Sequence, residues 1–531
     1  MSKINKIYLP ILFAIILVIG IFLGKSLNKN PYINYAQMVQ ANSKLSRIVS
    51  YIENRYVDTV SRNKLEEAAI PAMLSELDPH SVYIPAKGMK SVREDMQGNF
   101  EGIGVVFNHQ TDTSIIISVI SGGPSDKVGV QPGDRIIKVN DSLIAGQNIS
   151  SNDVVKMLKG EKGTTVKVSL KRKNVSKLID VEIIRDRIPL YSIDVSYMVN
   201  KEIGYIKINR FAETTFDEFI NGCKKLKKQG VKKLIVDLRG NTGGYMLAAT
   251  NIADQFLGAG KLIVYTQGKA SPRQEIYSTS RGICKNLDVI VLQDEFSASA
   301  SEILAGAIQD NDRGKIIGRR SFGKGLVQEP YQLSDGSVIR LTIARYYTPT
   351  GRSIQKPYDK DKSKYYNDLN ERYLNGEFSE ADSIHFNDSL KFVTPEGNIV
   401  YGGGGIMPDI FVPLDTSGLS KYYAEVLSKG ILYTFAFQYA DKNRNVLMKY
   451  KSAKAINDYL ESINIFNQFV KFAKGKGVNK STKGFDASRH RINTSIKASI
   501  ARNIIDNEGF YPIMEDLDVT IKKAIEYFET N

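Results

Sequence analysis

The chain has 531 residues, 42% of them hydrophobic and 24% charged; this is a globular composition with room for two to four cores and excludes a disordered or low-complexity protein. Two cysteines, Cys223 and Cys284, exclude a disulfide framework and read as free and incidental. The four histidines, His80, His109, His385 and His490, are scattered, with no neighbouring acidic or cysteine cluster at ligand spacing, and imply no metal. The net charge of +15 is local: from Lys471 to Arg502 nine basic residues oppose Asp486 alone. With no nucleic-acid motif around them, these residues read as a solvated face, and no nucleic-acid partner is expected.

In chain order, Ile7 to Gly24 carries no charge and follows Lys3 and Lys6. It is just long enough to span a hydrocarbon layer, and no small-x-small site follows it. Residues 1–30 therefore read as an uncleaved membrane anchor and tether, with the bulk of the chain on the exported side. Region 31–97 holds two amphipathic helices between Leu45 and Leu77, closing on Leu77-Asp-Pro-His-Ser81. Region 98–174 is β-rich, with a glycine-flanked apolar loop, Gly102-Ile103-Gly104-Val105, a strand from Thr113, Pro132-Gly-Asp-Arg-Ile-Ile-Lys-Val-Asn140, a helix near Ser151 to Leu158 and a strand at Thr164 to Lys171.

From 175 to 416 strands and helices alternate as in an α/β layer. The strand Lys233 to Arg239 runs into Gly240-Asn-Thr-Gly-Gly244, where backbone can approach a ligand closely. Leu287 to Leu292 is a buried strand that feeds a turn of small residues, and the helix Ser301 to Asp310 follows. Ser299 is thereby lifted onto a strand-to-helix corner, where helix N-terminal amides favour negative charge. Ser297, Ser299 and Ser301 are all open to the alternative of small packing or capping residues. Twenty-five residues beyond Ser299, Lys324 lies between Gly323 and Gly325, a candidate base with nothing bulky beside it. Residues 355–398 are polar and read as a mobile insertion; 417–531 are helical, for packing, oligomerisation or docking.

The Ser297-Ala-Ser-Ala-Ser-Glu-Ile303 and Phe322-Gly-Lys-Gly325 runs, at this spacing, together resemble the C-terminal processing peptidases, or tail-specific proteases of the S41 type. The resemblance implies Ser299 as nucleophile, Lys324 as base and Gln328 as the residue that orients the lysine. It further implies oxyanion donors from the amides of Gly244, with Gly243 beside it, and of Ala300. Region 98–174 resembles a PDZ domain, which implies that Gly102, Ile103, Gly104 and Val105 hold a chain-end carboxylate while the substrate tail adds as a strand. The expected fold is thus α/β multidomain: membrane anchor and helices, β-rich PDZ-like domain, α/β protease core and helical C-terminal region. The expected function is a membrane-anchored, cofactor-free serine endopeptidase acting on proteins or peptides with free C-terminal tails, with a homo-oligomer or an activating partner left open. The alternative is a catalytically silent, membrane-tethered PDZ adaptor. A lysine with an ordinary pKa of about 10.4 works as base only if desolvated.

Overall fold

The computed structural model describes residues 13–20, 43–110, 113–173, 175–358, 362–384 and 387–531. The chain divides into two units, Met1–Asp78 and Pro79–Asn531. In the first, the helix Lys44–Arg55, capped by Ser43 through the Ser46 amide at 3.1 Å, is followed by the helix Arg62–Ser75. Residues 13–20 are helical and exposed. The rest of the expected anchor, 7–24, lies outside the described residues, and among those described no helix is long and apolar enough to cross a membrane.

The second unit is a mixed α/β body with a small β domain, a layered core and a helical C-terminal region. In the β domain the strands Val105–Gln110, Thr113–Val119, Arg135–Val139, Thr165–Lys171 and Ile179–Ile184 pair in that order. The last strand carries this sheet past residue 174, the expected boundary. Its core gathers Ile116, Ile136, Val154, Leu158 and Val168. Arg185 closes the end of the helix Ser151–Leu158 by donating to the carbonyls of Leu158 and Met157, both at 3.0 Å.

The core sheet has six strands in the order Ile193–Met198, Ile203–Ile208, Lys233–Asp237, Asp288–Gln293, Lys315–Gly318 and Ile410–Phe411; the first is antiparallel and the rest parallel. Its strands are apolar on both faces because both are covered. By the two-residue alternation of a strand, Leu234, Val236, Val289 and Val291 face the helices Thr215–Lys228, Met246–Asp254 and Ala300–Asp310. Ile235, Ile290, Leu292 and Ile317 face Ile521, Ala524 and Phe528 of the terminal helix Val519–Thr530. The end of the helical region is thus the third layer of the core. The rest of that region, from Lys421–Ser428 to Asn507–Met514, has a core of its own.

A second sheet carries the strand Val338–Tyr347 between Val82–Ile84 and Leu326–Gln332, and continues through Leu262–Gln267 to Gln274–Tyr277. Gln328 stands opposite Thr342, whose amide donates to the Ser81 hydroxyl at 3.1 Å. This register carries His80 to the strand of Gln328.

Two expectations need correction. The polar segment 355–398 is a packed element: its helix Lys362–Leu374 buries Tyr365 and Arg372, because their ring and guanidinium find partners in the core that composition alone does not reveal. The cysteines are free, as expected, but not incidental: Cys223 and Cys284 are both buried, with sulfurs 3.2 Å apart in the core beneath the sheet.

Candidate active site

After the strand Asp288–Gln293 the chain turns through Asp294 to Ser299 and enters the helix Ala300–Asp310. Asp294 Oδ1 accepts from the amides of Gly240 at 2.9 Å and of Phe296 and Ser297 at 3.1 Å, tying the serine turn to the glycine run. The three serines divide by role. Ser297 donates its hydroxyl to Leu238 O at 2.9 Å, and Ser301 donates to Asn241 O at 2.8 Å; both are buried brackets. Ser299 is the half-buried residue at the N-cap, with φ 56° and ψ −112°. A non-glycine residue at positive φ costs about 1–3 kcal/mol and persists only when its surroundings impose it.

Glu302 imposes it. Its carboxylate is fully buried and accepts from the amide of Ser299 at 2.7 Å, Lys324 at 2.9 Å and Gly323 at 2.7 Å, and from the Ser321 hydroxyl at 2.6 Å. Burial pushes this carboxyl up to about 7, against the pull of its four donors. One carboxylate oxygen, Oε2, thus holds the amides of both the serine and the lysine. From the opposite side the buried Tyr346 hydroxyl donates to Lys324 O at 2.7 Å and Ser299 O at 3.1 Å, and burial raises its pKa well above the phenol range. Lys324 Nζ donates to Gln328 Oε1 at 3.1 Å, and Gln328 Nε2 donates to the His80 carbonyl. An amide has one accepting and one donating end; the carbonyl takes the donor, so the acceptor faces the lysine.

Gly243 approaches the serine so closely that a Cβ there, at φ 103°, would lie 2.8 Å from Ser299 Cβ and 3.0 Å from Ala300 N. Beside it, a Cβ on Gly244 would strike Phe211 O at 2.1 Å. Asn241, wholly buried, donates to Ile208 O at 3.1 Å and accepts from the Gly243 amide at 2.9 Å. Among the described residues, nothing accepts from the N–H of Gly244 or Ala300. Ser299, Lys324, Gln328, Gly244 and Ala300 therefore gather in one place.

Gly102 to Val105 form a separate place in the β domain. Gly102 pairs with Asp186, and Val105 opens the strand that forms the edge of its sheet. Ile103 O accepts from the amide of Ser125 at 3.1 Å and from its hydroxyl at 2.7 Å, and Gly104 O accepts from the Ile120 amide at 3.0 Å. With the carbonyls engaged, the N–H groups of Ile103 and Gly104 have no acceptor among the described residues.

Glu302, Asn241, Asp294 and Tyr346 were not singled out by sequence. Glu302 had a readable signal, because Ser299-x-x-Glu302 ahead of an apolar run is the capping-box pattern. Tyr346 had none.

A bent serine at a helix N-terminus beside a lysine and open amides is the arrangement of a serine-type peptidase. The model of peptidase family S41 matches residues 202–361, that of the PDZ domain 102–183, that of the activating protease CtpB N-terminal domain 25–88, and a family of unknown function (DUF8443) 422–506. The carboxy-terminal processing protease CtpA of Bacillus subtilis is 36% identical over 322 residues, covering 60% of this chain and 68% of the relative. The carboxy-terminal-processing protease of Bartonella bacilliformis is 37% identical over 355 residues, covering 64% and 80%. A solved photosystem II D1 C-terminal processing protease is 25% identical over 69% of this chain and 91% of that one, with a TM-score of 0.35. The chain belongs to the carboxy-terminal processing proteases of family S41, and is a serine-type peptidase with a PDZ domain.

Proposed function

We propose that the protein is a serine endopeptidase of exported proteins that works by a Ser299–Lys324 dyad and recognises the free C-terminal tail of its substrate. The observation that carries this reading is the shared Glu302 oxygen, which draws the amides of Ser299 and Lys324 to 2.7 and 2.9 Å of one atom. Ser299 Oγ attacks the peptide carbonyl while neutral Lys324 Nζ takes its proton. The amides of Gly244 and Ala300 donate to the oxyanion, and the charged amine returns the proton to the leaving amine. Water then releases the acyl-enzyme with the lysine again as base. Gln328 fixes the direction of the amine without adding a counter-charge that would hold it protonated.

Tail recognition is supported by the free N–H groups of Ile103 and Gly104, which suit a carboxylate, and by the open edge of Val105–Gln110, which suits an added strand. The uncharged run at 7–24 supports a membrane-anchored protein with this site on the exported side.

The test uses the full chain on an unstructured reporter with an apolar C-terminal tail. Wild type is compared with Ser299→Ala and Lys324→Ala, and the free tail with an amidated one. Both substitutions are expected to lower kcat at least about 10³-fold, and amidation to raise KM. Cleavage that survives Ser299→Ala removes the nucleophile assignment; tail binding with no cleavage by any form points to the adaptor.

A further inference from the structure

The packed insertion reaches the loop that presents the lysine. Its helix Lys362–Leu374 begins just beyond residue 361, where the S41 match ends. Arg372, 4% exposed, donates to Arg320 O at 2.8 Å and Ser321 O at 3.2 Å. Its Nε also donates at 2.8 Å to Glu377, which accepts from Arg320 at 2.7 and 2.6 Å. Lys356 donates its backbone N–H to Gly323 O at 2.9 Å. The Lys356 amine donates to Asp368 Oδ2 at 2.8 Å and lies over the rings of Phe322 and Tyr365, at 4.0 and 4.3 Å from their centroids. The carbonyls of Arg320, Ser321 and Gly323 are thus held from the insertion side, while Glu302 holds the amides of Gly323 and Lys324.

The same helix reaches the far end of the lysine side chain. Tyr365, 5% exposed, places its hydroxyl 2.5 Å from His80 Nε2, and the two rings meet edge to face at 5.4 Å. The His80 carbonyl is the acceptor that fixes the Gln328 amide, whose oxygen receives Lys324 Nζ. If His80 moved, Gln328 would lose the partner that sets its orientation. A flipped amide would turn N–H donors toward the amine, which repels its protonated form and leaves its direction unset.

We propose that the helix Lys362–Leu374 is a positioning clamp for the general base. Tyr365, through His80 and Gln328, aims the Lys324 amine, and Arg372, through the preceding carbonyls, fixes the loop that carries it. Neither residue touches substrate; both act through Lys324, and the proposal rests on the dyad reading above. The clamp grips the lysine loop directly and reaches the serine turn only through that loop's contacts with Glu302, Tyr346 and Ser297 O, while Asp294 and Asn241 hold the serine turn from its own side. The titratable groups around the lysine loop are Glu302 on the serine helix, Tyr346 on Val338–Tyr347, His80, and Lys356 and Tyr365 on the insertion side. Tyr365→Phe adds and removes no charged side chain and keeps the ring packed on Lys356.

The test measures kcat and KM across pH for the full-chain wild type, Tyr365→Phe, Arg372→Lys and Lys324→Ala on the unstructured reporter, with thermal melts alongside. Tyr365→Phe is expected to lower kcat about tenfold near neutral pH with KM within about twofold. An amine that loses the Gln328 acceptor and faces N–H donors gives up its proton more readily, so the limb of kcat that reports the base moves down by roughly half a unit or more. The lower kcat persists on the alkaline side, because the direction of the amine and not its charge is what has been lost. Arg372→Lys moves the same limb by less. If Lys324→Ala is inactive while Tyr365→Phe keeps the wild-type kcat and limb, the clamp is wrong and the dyad stands. A loss in Tyr365→Phe that leaves the limb where it is in wild type, with or without a lower melting point, assigns the tyrosine a structural role only and overturns the clamp. Activity in Lys324→Ala removes the dyad, and the clamp with it.

Discussion

The serine and the lysine stand side by side but are built in opposite ways. The serine turn is assembled from neighbouring connections of one parallel sheet: Asp294, Ser297 and Ser301 bind the loop that follows Lys233–Asp237, and Asn241 binds back. The lysine loop has almost no local support, and its fasteners come from residues 80, 297, 302, 346, 355, 356, 372 and 406. Under the proposed dyad, a nucleophile on a sheet-to-helix corner is preorganised by the fold itself, whereas a base on an irregular loop is only as well placed as the distant elements that grip it. Changes in peripheral segments should therefore disturb proton transfer before they disturb the nucleophile.

Glu302, Tyr346 and the Phe322 amide on Ser297 O join the two, and Glu302 accepts from four donors at once, so its loss should have the largest effect. Glu302→Gln keeps the shape but turns one carboxylate oxygen into an NH2 facing N–H donors. We expect a loss of about 2–4 kcal/mol in stability and at least about 100-fold in kcat, read by chemical denaturation and steady-state cleavage. An active, stable Gln variant would show that the two halves are held independently. Phe528→Ala tests whether the sheet beneath both needs its third layer. With the ring 5% exposed against Ile235 and Ile290, the cost should be about 3–5 kcal/mol in denaturation, with kcat of the folded fraction unchanged. Asn241→Ala addresses the serine side alone. Unpairing Gly243 N and Ile208 O should cost about 1–3 kcal/mol and lower kcat by misplacing the oxyanion amides, while the pH limb that reports the base stays fixed. A shifted limb would mean that the contacts shared by the two halves carry the disturbance across.

The sequence made the serine side more legible than the lysine side, for the same physical reason. Periodicity located the strand before Ser299 and the helix after it to within a residue or so, because both are buried, regular and local. The helices Ser151–Leu158 and Thr215–Lys228 were equally plain. What escaped was long-range. Tyr346, 47 residues from Ser299, looks like any strand tyrosine, and the insertion looks like solvent-facing chain because Arg372, Glu377 and Arg320 satisfy one another only once folded. The meeting of Cys223 and Cys284, 61 residues apart, was hidden in the same way. The C-terminal region read as helical, but no pattern says that the apolar face of its last helix completes the core sheet.

The smallest expected effect is in the wild type itself, and its sign separates site from fold. The Glu302 carboxyl sits at about 7 in the native protein against an ordinary 4.5, with burial as the main cause. The native state therefore holds this proton more tightly than the unfolded chain. Its contribution to stability is fully present below the unfolded value and is lost as pH rises through about 7. The site needs the opposite state, since a protonated carboxyl has one acceptor fewer and an O–H to place among the amides of Ser299, Gly323 and Lys324 and the Ser321 hydroxyl. Lowering the pH from about 8 to about 7 should then cost roughly half of kcat, on top of any titration of the base. The contribution of this residue to stability should rise over the same interval. In Glu302→Gln, where nothing titrates at that position, this part of both pH dependences should vanish, and with it the one link through which acid loosens the serine turn and the lysine loop together.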